Sequence, residues 1–204
     1  MNLQSPESLP PELRHVIIHR ELEPKESLFQ QGDEAKAFYV VETGRLKLVR
    51  YTSDGKEVTF PIARPGEMIA EIALFSDTYP YAVVAEVASR VIIYPKQPIL
   101  SALRHNCELA EDFMAMLVQK IHDLNVRLEL RDIRAAHERV LRYLRYMAQL
   151  GEQTTITFDR PLKDIAVDLG LTPETLSRAL TRLEREGIIT RTRLQIKLQN
   201  LSAA

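Results

Sequence analysis

The stretch that decides the fold runs from Pro161 to Gly187 and reads PLKDIAVDLGLTPETLSRALTRLEREG. Apolar residues recur at helical spacing on both sides of Gly170-Leu171-Thr172, which predicts two helices joined by a short turn. The small Ala166 lets the two helices approach closely, and Gly170 permits the positive φ of a tight turn. The stretch therefore predicts a helix-turn-helix.

The capping and core residues of this stretch agree with the same motif. Thr172 is placed to cap the second helix, and Pro173 fits its first turn. A set of aliphatic residues is predicted to form the internal core: Ile165, Leu169, Leu171, Leu176, Leu180 and Leu183.

The second helix is predicted to point polar side chains outward. Glu174, Ser177 and Arg178 share one face, because side chains three and four positions apart are neighbours on a helix. Arginine bonds guanine bidentately, glutamate accepts from cytosine, and serine contacts several bases. The alternative is a solvated helix with an ordinary Glu–Arg pair. The agreement of turn, cap, core and polar face favours base reading in DNA.

The residues after Gly187 predict a wing beside this motif. Ile188–Thr190 and Leu194–Leu198 alternate as short strands, and Arg191 and Arg193 would lie in the turn between them, placed for phosphate contact or simply solvated. The predicted contacts to the DNA backbone are Thr172, Thr181, Arg185, Arg191 and Arg193.

Charge is distributed unevenly along the chain, although the net charge is only −1. From Asp132 onward there are 12 Lys and Arg against 9 Asp and Glu, a net +3. The preceding residues carry 15 against 19, a net −4. A modestly basic C-terminal part is a weak sign of nucleic-acid contact.

A long helix is predicted before the DNA-reading part, from Leu103 to Arg131, where Pro and Gly are absent. Its apolar residues repeat in steps of three and four, which favours pairing with a second helix over packing on its own domain. The residues of this predicted dimer interface are Ala110, Met114, Leu117, Ile121, Leu124 and Leu128. A further helix is expected from about Ala136 to Leu150, ended by Gly151, and then a strand at Thr154–Phe158.

The N-terminal half predicts a short helix, Pro11 to Arg20, followed by many short strands separated by turn signals such as Gly32-Asp33, Gly44 and Asp54-Gly55. This pattern is typical of a sandwich or barrel. The predicted strands are Ser27–Gln31, Phe38–Glu42, Leu46–Tyr51, Val58–Ile62, Ala82–Val87 and Val91–Tyr94.

Several functional classes are disfavoured by composition. A single cysteine, Cys107, excludes an internal disulfide and a cysteine-ligated cluster within one chain. The polar N-terminus does not resemble a signal peptide, and no apolar run reaches a membrane span, so we expect a cytoplasmic protein without a membrane partner. A cupin-like enzyme is the remote alternative. Cupin metal chemistry needs clustered histidines, and there is no His between Arg20 and Arg104, so an enzyme is not expected.

Over nearly its whole length the chain resembles the CRP/FNR family of bacterial regulators. The resemblance is carried by FYVVETGRLKL, ending just past Gly44, by GEMIAEIALFSD from Gly66 to Asp77, and by His137-Glu138-Arg139-Val140 at the family's hinge. It implies an α+β fold of three parts: a jelly-roll-like β-roll of the cyclic-nucleotide-binding type at 1–102, a long dimerisation helix at 103–134, and a winged helix-turn-helix DNA-binding domain at 135–204.

The resemblance also implies how DNA is read. Glu174-x-x-Ser177-Arg178 is similar to the FNR reading set, and Pro173 stands where cyclic-AMP receptor proteins have an Arg. The implied target is double-stranded DNA with a TTGA-type inverted repeat, bound by a homodimer that contacts RNA polymerase if it is an activator.

The sensor part departs from the best-known members of the family. The effector-pocket positions implied by the resemblance are Glu71, Tyr81, Ala82, Leu124 and Asn125. Tyr81-Ala82 replace the Arg-Ser pair that grips the cyclic-AMP phosphate, and an uncompensated buried anion is costly, so cyclic AMP is disfavoured. FNR-type oxygen sensing is disfavoured because the N-terminal cysteines are absent.

The effector is therefore unknown at this point. The sensor is also similar to the nitric-oxide-responsive, Dnr-like branch, which is thought to use haem, so haem is a candidate cofactor. His15 and His19 would share a face of the first helix as candidate ligands, or form an ordinary surface pair. Control by a small molecule, a gas or haem is expected, and the alternative is a constitutive regulator with a vestigial sensor.

Overall fold

The computed structural model describes residues 9–60, 62–150, 154–158, 161–192 and 195–199. The chain divides into two compact units, Met1–Leu117 and Val118–Ala204.

The first unit is a β-roll with helices at its ends. Helix α1, Pro11–Arg14, precedes the strands, and helix α2, Lys96–His105, follows them. A short 3₁₀ helix, Glu71–Leu74, interrupts the strand series. The strands are β1 Ile18–Leu22, β2 Ser27–Phe29, β3 Ala37–Thr43, β4 Leu46–Tyr51, β5 Glu57–Thr59, β6 Met68–Ile69, β7 Ala82–Ala85 and β8 Ser89–Pro95.

These strands form two four-stranded antiparallel sheets, ordered β1-β8-β3-β6 and β2-β7-β4-β5. A core of buried apolar residues from both sheets fills the space between them, and Tyr39 and Val41 of β3 point into it. Their neighbours Phe38 and Val40 point the other way, into a second core formed with α1, α2 and the start of the next helix. Strand β3 is apolar without alternation because both of its faces are buried.

Gly44 makes the tight connection from β3 to β4 possible. Its φ is +86°, and a Cβ there would overlap the Ser89 side chain and lie 2.6 Å from the Ala88 carbonyl oxygen. Only glycine meets both demands, so the turn that the sequence predicts at this point has a steric cause.

The predicted helix from Pro11 to Arg20 is wrong beyond its first turn. Helix α1 ends at Arg14, and Ile18–Leu22 is strand β1, paired antiparallel with β8 from Ile18 opposite Ile93 to Leu22 opposite Ser89. Pairing with a strand far along the chain overrides the local helical tendency. His15 follows the short helix and His19 lies in the strand, so the two histidines do not share a helix face.

The predicted long helix is interrupted near its start. Helix α2 ends at His105, and helix α3 runs from Cys107 to Asp132. Asn106 between them has extended backbone angles, and its Oδ1 accepts a hydrogen bond from the Leu109 N–H at 2.9 Å. The prediction of one continuous helix from Leu103 is therefore wrong at Asn106, where an amide side chain caps a new helix.

The second unit contains the C-terminal half of α3, helix α4 at Ala136–Leu150, helix α5 at Leu162–Asp168 and helix α6 at Pro173–Arg185. The two-helix prediction is confirmed. Gly170 has a φ of +63°, and Thr172 caps α6 by accepting from the Thr175 N–H at 3.2 Å. The predicted core leucines are buried apart from Leu171, which packs against the core half-buried. The expected helix end at Gly151 lies outside the described residues.

The wing is present as a three-stranded antiparallel sheet ordered β10-β11-β9, with β9 at Thr155–Thr157, β10 at Ile189–Arg191 and β11 at Gln195–Leu198. Arg191 was expected in the turn, but it is the last residue of β10 and faces α6. Arg193 lies outside the described residues. The winged helix-turn-helix of the sequence prediction is confirmed.

Candidate nucleic-acid interface and the β-roll pocket

Helix α6 separates its side chains into a buried and an exposed face. Leu176, Ala179, Leu180 and Leu183 are buried against the unit's core. Successive residues of a helix are rotated by about 100°, which places the polar residues on the opposite side within an arc of about 100°. These residues are Glu174, Ser177, Arg178, Thr181 and Arg185. All of these are exposed except Thr181, which is half-buried. The helix is thus held by its leucines with a polar face outward.

The N-terminal end of α6 holds Glu174 in its charged form. The carboxylate accepts a hydrogen bond from its own backbone N–H and another from the Thr172 side chain, and these bonds hold the pKa of Glu174 below its ordinary value. Arg178 adds a weaker electrostatic contribution in the same direction. A carboxylate at a helix N-terminus is also favoured by the helix dipole.

Arg178 lies one turn further along the exposed face. Its Nη2 donates to the Thr175 hydroxyl at 3.3 Å, a contact between exposed side chains that a stronger acceptor can replace. Glu174, Ser177 and Arg178 are thus exposed together near the N-terminal end of α6, beside the capping residue Thr172.

The predicted backbone-contacting residues that the structure describes lie along α6 and on the wing. Thr172 lies at the start of α6, with its hydroxyl engaged as the cap. Arg191 connects the wing to α6: its Nη2 donates to the Thr181 hydroxyl at 3.3 Å, and its Nε lies 3.1 Å from Glu184 Oε2. Arg185 is exposed at the last position of α6.

Helix α3 carries a strip of large apolar side chains that are exposed in the single chain. The strip consists of Met114, Val118, Ile121, Leu124 and Leu128. Ala110 and Leu117 of the predicted dimer interface are half-buried, and Leu117 packs against the core of the first unit. Val118 belongs to the strip although the heptad prediction omits it.

In the β-roll, the effector-pocket positions of the first unit lie beside one another. The Ala70 N–H donates to the Tyr81 hydroxyl at 3.0 Å, and Ala70 has a left-handed φ of +59° that non-glycine residues rarely adopt. Burial and the nearby Glu71 charge raise the pKa of Tyr81 to about 12. Tyr81 is thus a neutral phenol held against the start of the 3₁₀ helix.

Aromatic rings fill the space around Tyr81. Phe60 and Phe29 have ring centroids 5.7 Å and 6.1 Å from that of Tyr81. Phe29 also stacks on Tyr79 at 3.8 Å, and the hydroxyls of Tyr79 and Tyr39 are 3.1 Å apart. Sequence reasoning missed this cluster, since its members are scattered along the chain.

Ala82 follows Tyr81 and is buried in β7 of the first unit. Leu124 and Asn125 are exposed on α3 in the second unit. At the surface of the first sheet, His19 Nδ1–H donates to Glu42 Oε2 at 3.1 Å.

The fold and this interface define a class of protein, a β-roll unit joined to a winged helix-turn-helix. Comparison with known families agrees with both parts. Residues 19–106 match the cyclic nucleotide-binding domain, and residues 138–203 match the Crp-like helix-turn-helix domain, together about three quarters of the chain. The chain belongs to the CRP/FNR family of DNA-binding transcription regulators.

Individual relatives are transcription regulators too. The cyclic AMP receptor protein of Thermus thermophilus is 27% identical over 84% of this chain and 80% of the relative. The nitrogen fixation regulation protein FixK of Bradyrhizobium diazoefficiens is 27% identical over 87% of this chain and 76% of the relative. The crystal structure of DNR from Pseudomonas aeruginosa is 28% identical with a TM-score of 0.55, covering 98% of this chain and 91% of that one. Among the described helices, none is long and apolar enough to cross a membrane.

Proposed function

We propose that the protein is a homodimeric regulator that reads a TTGA-type inverted repeat. The observation that carries the proposal is the face of α6, where Glu174, Ser177 and Arg178 stand exposed opposite a row of buried leucines. A helix of this kind enters the major groove with the side chains near its N-terminus against the base edges.

Each reading residue has a distinct role in this proposal. Arg178 exchanges its Thr175 contact for a bidentate bond to guanine O6 and N7. Glu174, kept ionised by its hydrogen bonds, accepts from cytosine N4 on the opposite strand. Ser177 lies near the leading thymines. Together the three residues would read the guanine, a cytosine on the opposite strand and the leading thymines of a TTGA half-site.

Contacts to the DNA backbone are proposed for residues flanking the reading face. Thr172 lies at the start of α6, Thr181 and Arg185 lie in its C-terminal half, and Arg191 lies on the wing. Arg193 is proposed for the same role on the sequence alone. These contacts fix the register of the protein on the duplex and carry little sequence information.

Dimerisation is proposed through helix α3. The exposed strip defined above repeats in steps of three and four, as in a two-helix seam, and exposed apolar residues in such a row favour burial. The proposed interface is Ala110, Met114, Leu117, Ile121, Leu124 and Leu128, with Val118 added from the structure. A twofold dimer explains why the target is an inverted repeat.

Control of DNA binding is proposed to differ from that of cyclic-AMP receptors. The Ala70 N–H at the start of the 3₁₀ helix already donates to the Tyr81 hydroxyl, so it is not free to bind a phosphate. Tyr81 is also neutral and supplies no positive charge to balance a phosphate. This contact argues against control by a cyclic nucleotide, and it favours a constitutive regulator as the second candidate. Control by a gas, haem or another small molecule remains the first candidate, in a cytoplasmic, non-enzymatic protein that contacts RNA polymerase when it activates.

The proposal is tested by selection of binding sites from random DNA with the wild type, Arg178→Ala and Arg191→Ala. We expect TTGA-type inverted repeats from the wild type, loss of preference at the guanine from Arg178→Ala, and unchanged base preference with weaker binding from Arg191→Ala. Recovery of sites without twofold symmetry would contradict the dimeric reading. Equal loss of base preference from both substitutions would contradict the division between base reading and backbone contact.

A further inference from the structure

The side chain of Arg139 lies between two helix ends in the second unit. Its Nε and Nη2 donate to the Ile133 carbonyl oxygen at 3.0 and 2.7 Å, and Nη2 also donates to the Arg131 carbonyl oxygen at 3.4 Å. Its Nη1 donates to the Leu169 carbonyl oxygen at 2.8 Å. One guanidinium therefore contacts the end of α3 and the end of α5.

Both sets of acceptors are carbonyls that helices leave without intrahelical partners. The last carbonyls of a helix carry the negative end of its dipole, so a cation is favoured at each place. The planar, forked guanidinium donates in several fixed directions at once, which a lysine ammonium on a flexible stem does not reproduce. The arrangement thus fixes an angle as well as a distance between the two helix ends.

The Leu169 carbonyl belongs to the turn that sets the direction of α6. Leu169 ends α5, Gly170 follows with a φ of +63°, and Thr172 caps α6. A Cβ at Gly170 would lie 3.7 Å from Arg139 Nη1, so the guanidinium packs directly beside the turn. A contact at this turn acts on α6 through only a few backbone bonds.

A second contact joins the start of α4 to α6 itself. Arg182 Nη1 donates to His137 Nδ1 at 3.2 Å, and Arg182 Nε donates to Glu186 Oε1 at 2.7 Å. His137 and Arg139 are two residues apart at the N-terminal end of α4, so this end touches both the turn and the recognition helix.

We infer that Arg139 is a positioning residue that sets the angle of the recognition helix relative to the end of the dimerisation helix, and thereby the spacing of half-sites that the dimer accepts. The inference rests on the proposed dimeric function. In a twofold dimer, the angle between α3 and α6 in each protomer fixes the separation of the two recognition helices. A looser angle broadens the range of spacings and leaves base reading by α6 unchanged.

The test measures affinity by fluorescence anisotropy for duplexes whose two half-sites are moved apart in steps of one base pair. A single half-site duplex is included to report base reading without spacing. The variants are Arg139→Gln and Arg139→Lys. Arg142→Gln is the matched control, because Arg142 lies one turn further along α4, exposed, with its Nη2 3.7 Å from Glu129 Oε2 on α3.

For the wild type we expect the affinity to fall about tenfold or more when the spacing is changed by two base pairs, because that change rotates one half-site by about 70°. In Arg139→Gln the same change is expected to cost about threefold or less, with single half-site affinity within about threefold of wild type. Arg139→Lys keeps the charge and should give an intermediate profile, and Arg142→Gln should match the wild type.

A wild-type spacing profile in Arg139→Gln would overturn the inference, as would uniform weakening that includes the single half-site and leaves the profile unflattened. If Arg139→Gln does not fold, as judged by circular dichroism, the profile of Arg139→Lys decides, and a wild-type profile there overturns the inference. A wild type without any spacing preference would instead contradict the dimeric reading of inverted repeats, and the inference would fall with it. The two failures are therefore distinguishable.

Discussion

Replacing Ile121 and Leu128 by glutamate should dissociate the proposed dimer without unfolding the chain. These two side chains are 58% and 61% exposed in the single chain, so they contribute little to the stability of the folded protomer. Leu117 is a poorer choice for this test. It is half-buried against the core of the first unit, and a charge there would damage the protomer as well.

The loss of dimerisation free energy can be worked out from the exposed fractions of the two side chains. Fully burying an isoleucine or leucine side chain contributes about 1.5–3 kcal/mol. Four such side chains in a dimer, each with about 60% of its surface still to bury, contribute about 4–7 kcal/mol if the interface covers them fully. The dimer dissociation constant should therefore rise roughly 10³- to 10⁵-fold, and more if the new charges are desolvated.

Sedimentation velocity over a concentration series measures this directly, and thermal unfolding checks the protomer, whose stability should change by only about 0.5 kcal/mol per exposed substitution. The single variant Ile121→Glu is measured beside the double variant, and Ala115→Glu is its control, since Ala115 is exposed on another face of α3. A double variant that stays dimeric at the wild-type concentration range, or a control that dissociates as readily, would refute the reasoning.

Three further predictions concern single contacts. Tyr81→Phe removes the acceptor of the Ala70 N–H and should lower the free energy of unfolding by about 1–3 kcal/mol in chemical denaturation, with still no cyclic-AMP binding by calorimetry; saturable binding would contradict the account of the pocket. Thr172→Ala removes the cap of α6 and should cost about 0.5–2 kcal/mol, whereas Thr172→Ser retains stability; equal losses in thermal unfolding would show that the cap is unimportant. Because the pKa of Glu174 is lowered, its carboxylate stays ionised down through the usual carboxyl value of 4.5, so base preference at the cytosine should be equal at pH 7 and pH 5 and be lost only below that range. Loss of that preference by pH 5.5 would show that the carboxylate is not the reader.

Much of the DNA-binding part could be predicted because its determinants are local. The positive φ of Gly170, the cap by Thr172 and the buried leucines all follow from residues within one short stretch. Such local determinants can be recognised in a sequence, and here the turn glycine, the cap and the spacing of the leucines all predict the same helix-turn-helix.

The parts that could not be predicted depend on partners far along the chain or on backbone atoms. Strand β1 is a strand because it pairs with β8, and Ile18–Leu22 alone does not reveal this. Arg139 binds carbonyl oxygens, which every residue possesses, so no side-chain pattern marks its partner at Leu169. Asn106 is the exception. A capping residue inside a predicted helix was visible, and it would have divided that helix correctly.

The most direct test of the central claim is a competition between two duplexes that differ only in their half-sites. One carries a TTGA-type inverted repeat and the other a TGTGA-type inverted repeat, both with centres about one helical turn apart. Since each wrong base pair typically costs about 1–3 kcal/mol, wild-type protein should bind the first duplex at least about tenfold more tightly. Arg178→Ala should weaken binding to both duplexes, because both half-sites contain the TGA whose guanine Arg178 reads, whereas Ser177→Ala should reduce the difference between them. Tighter binding of the TGTGA-type duplex by the wild type would contradict reading by Glu174, Ser177 and Arg178.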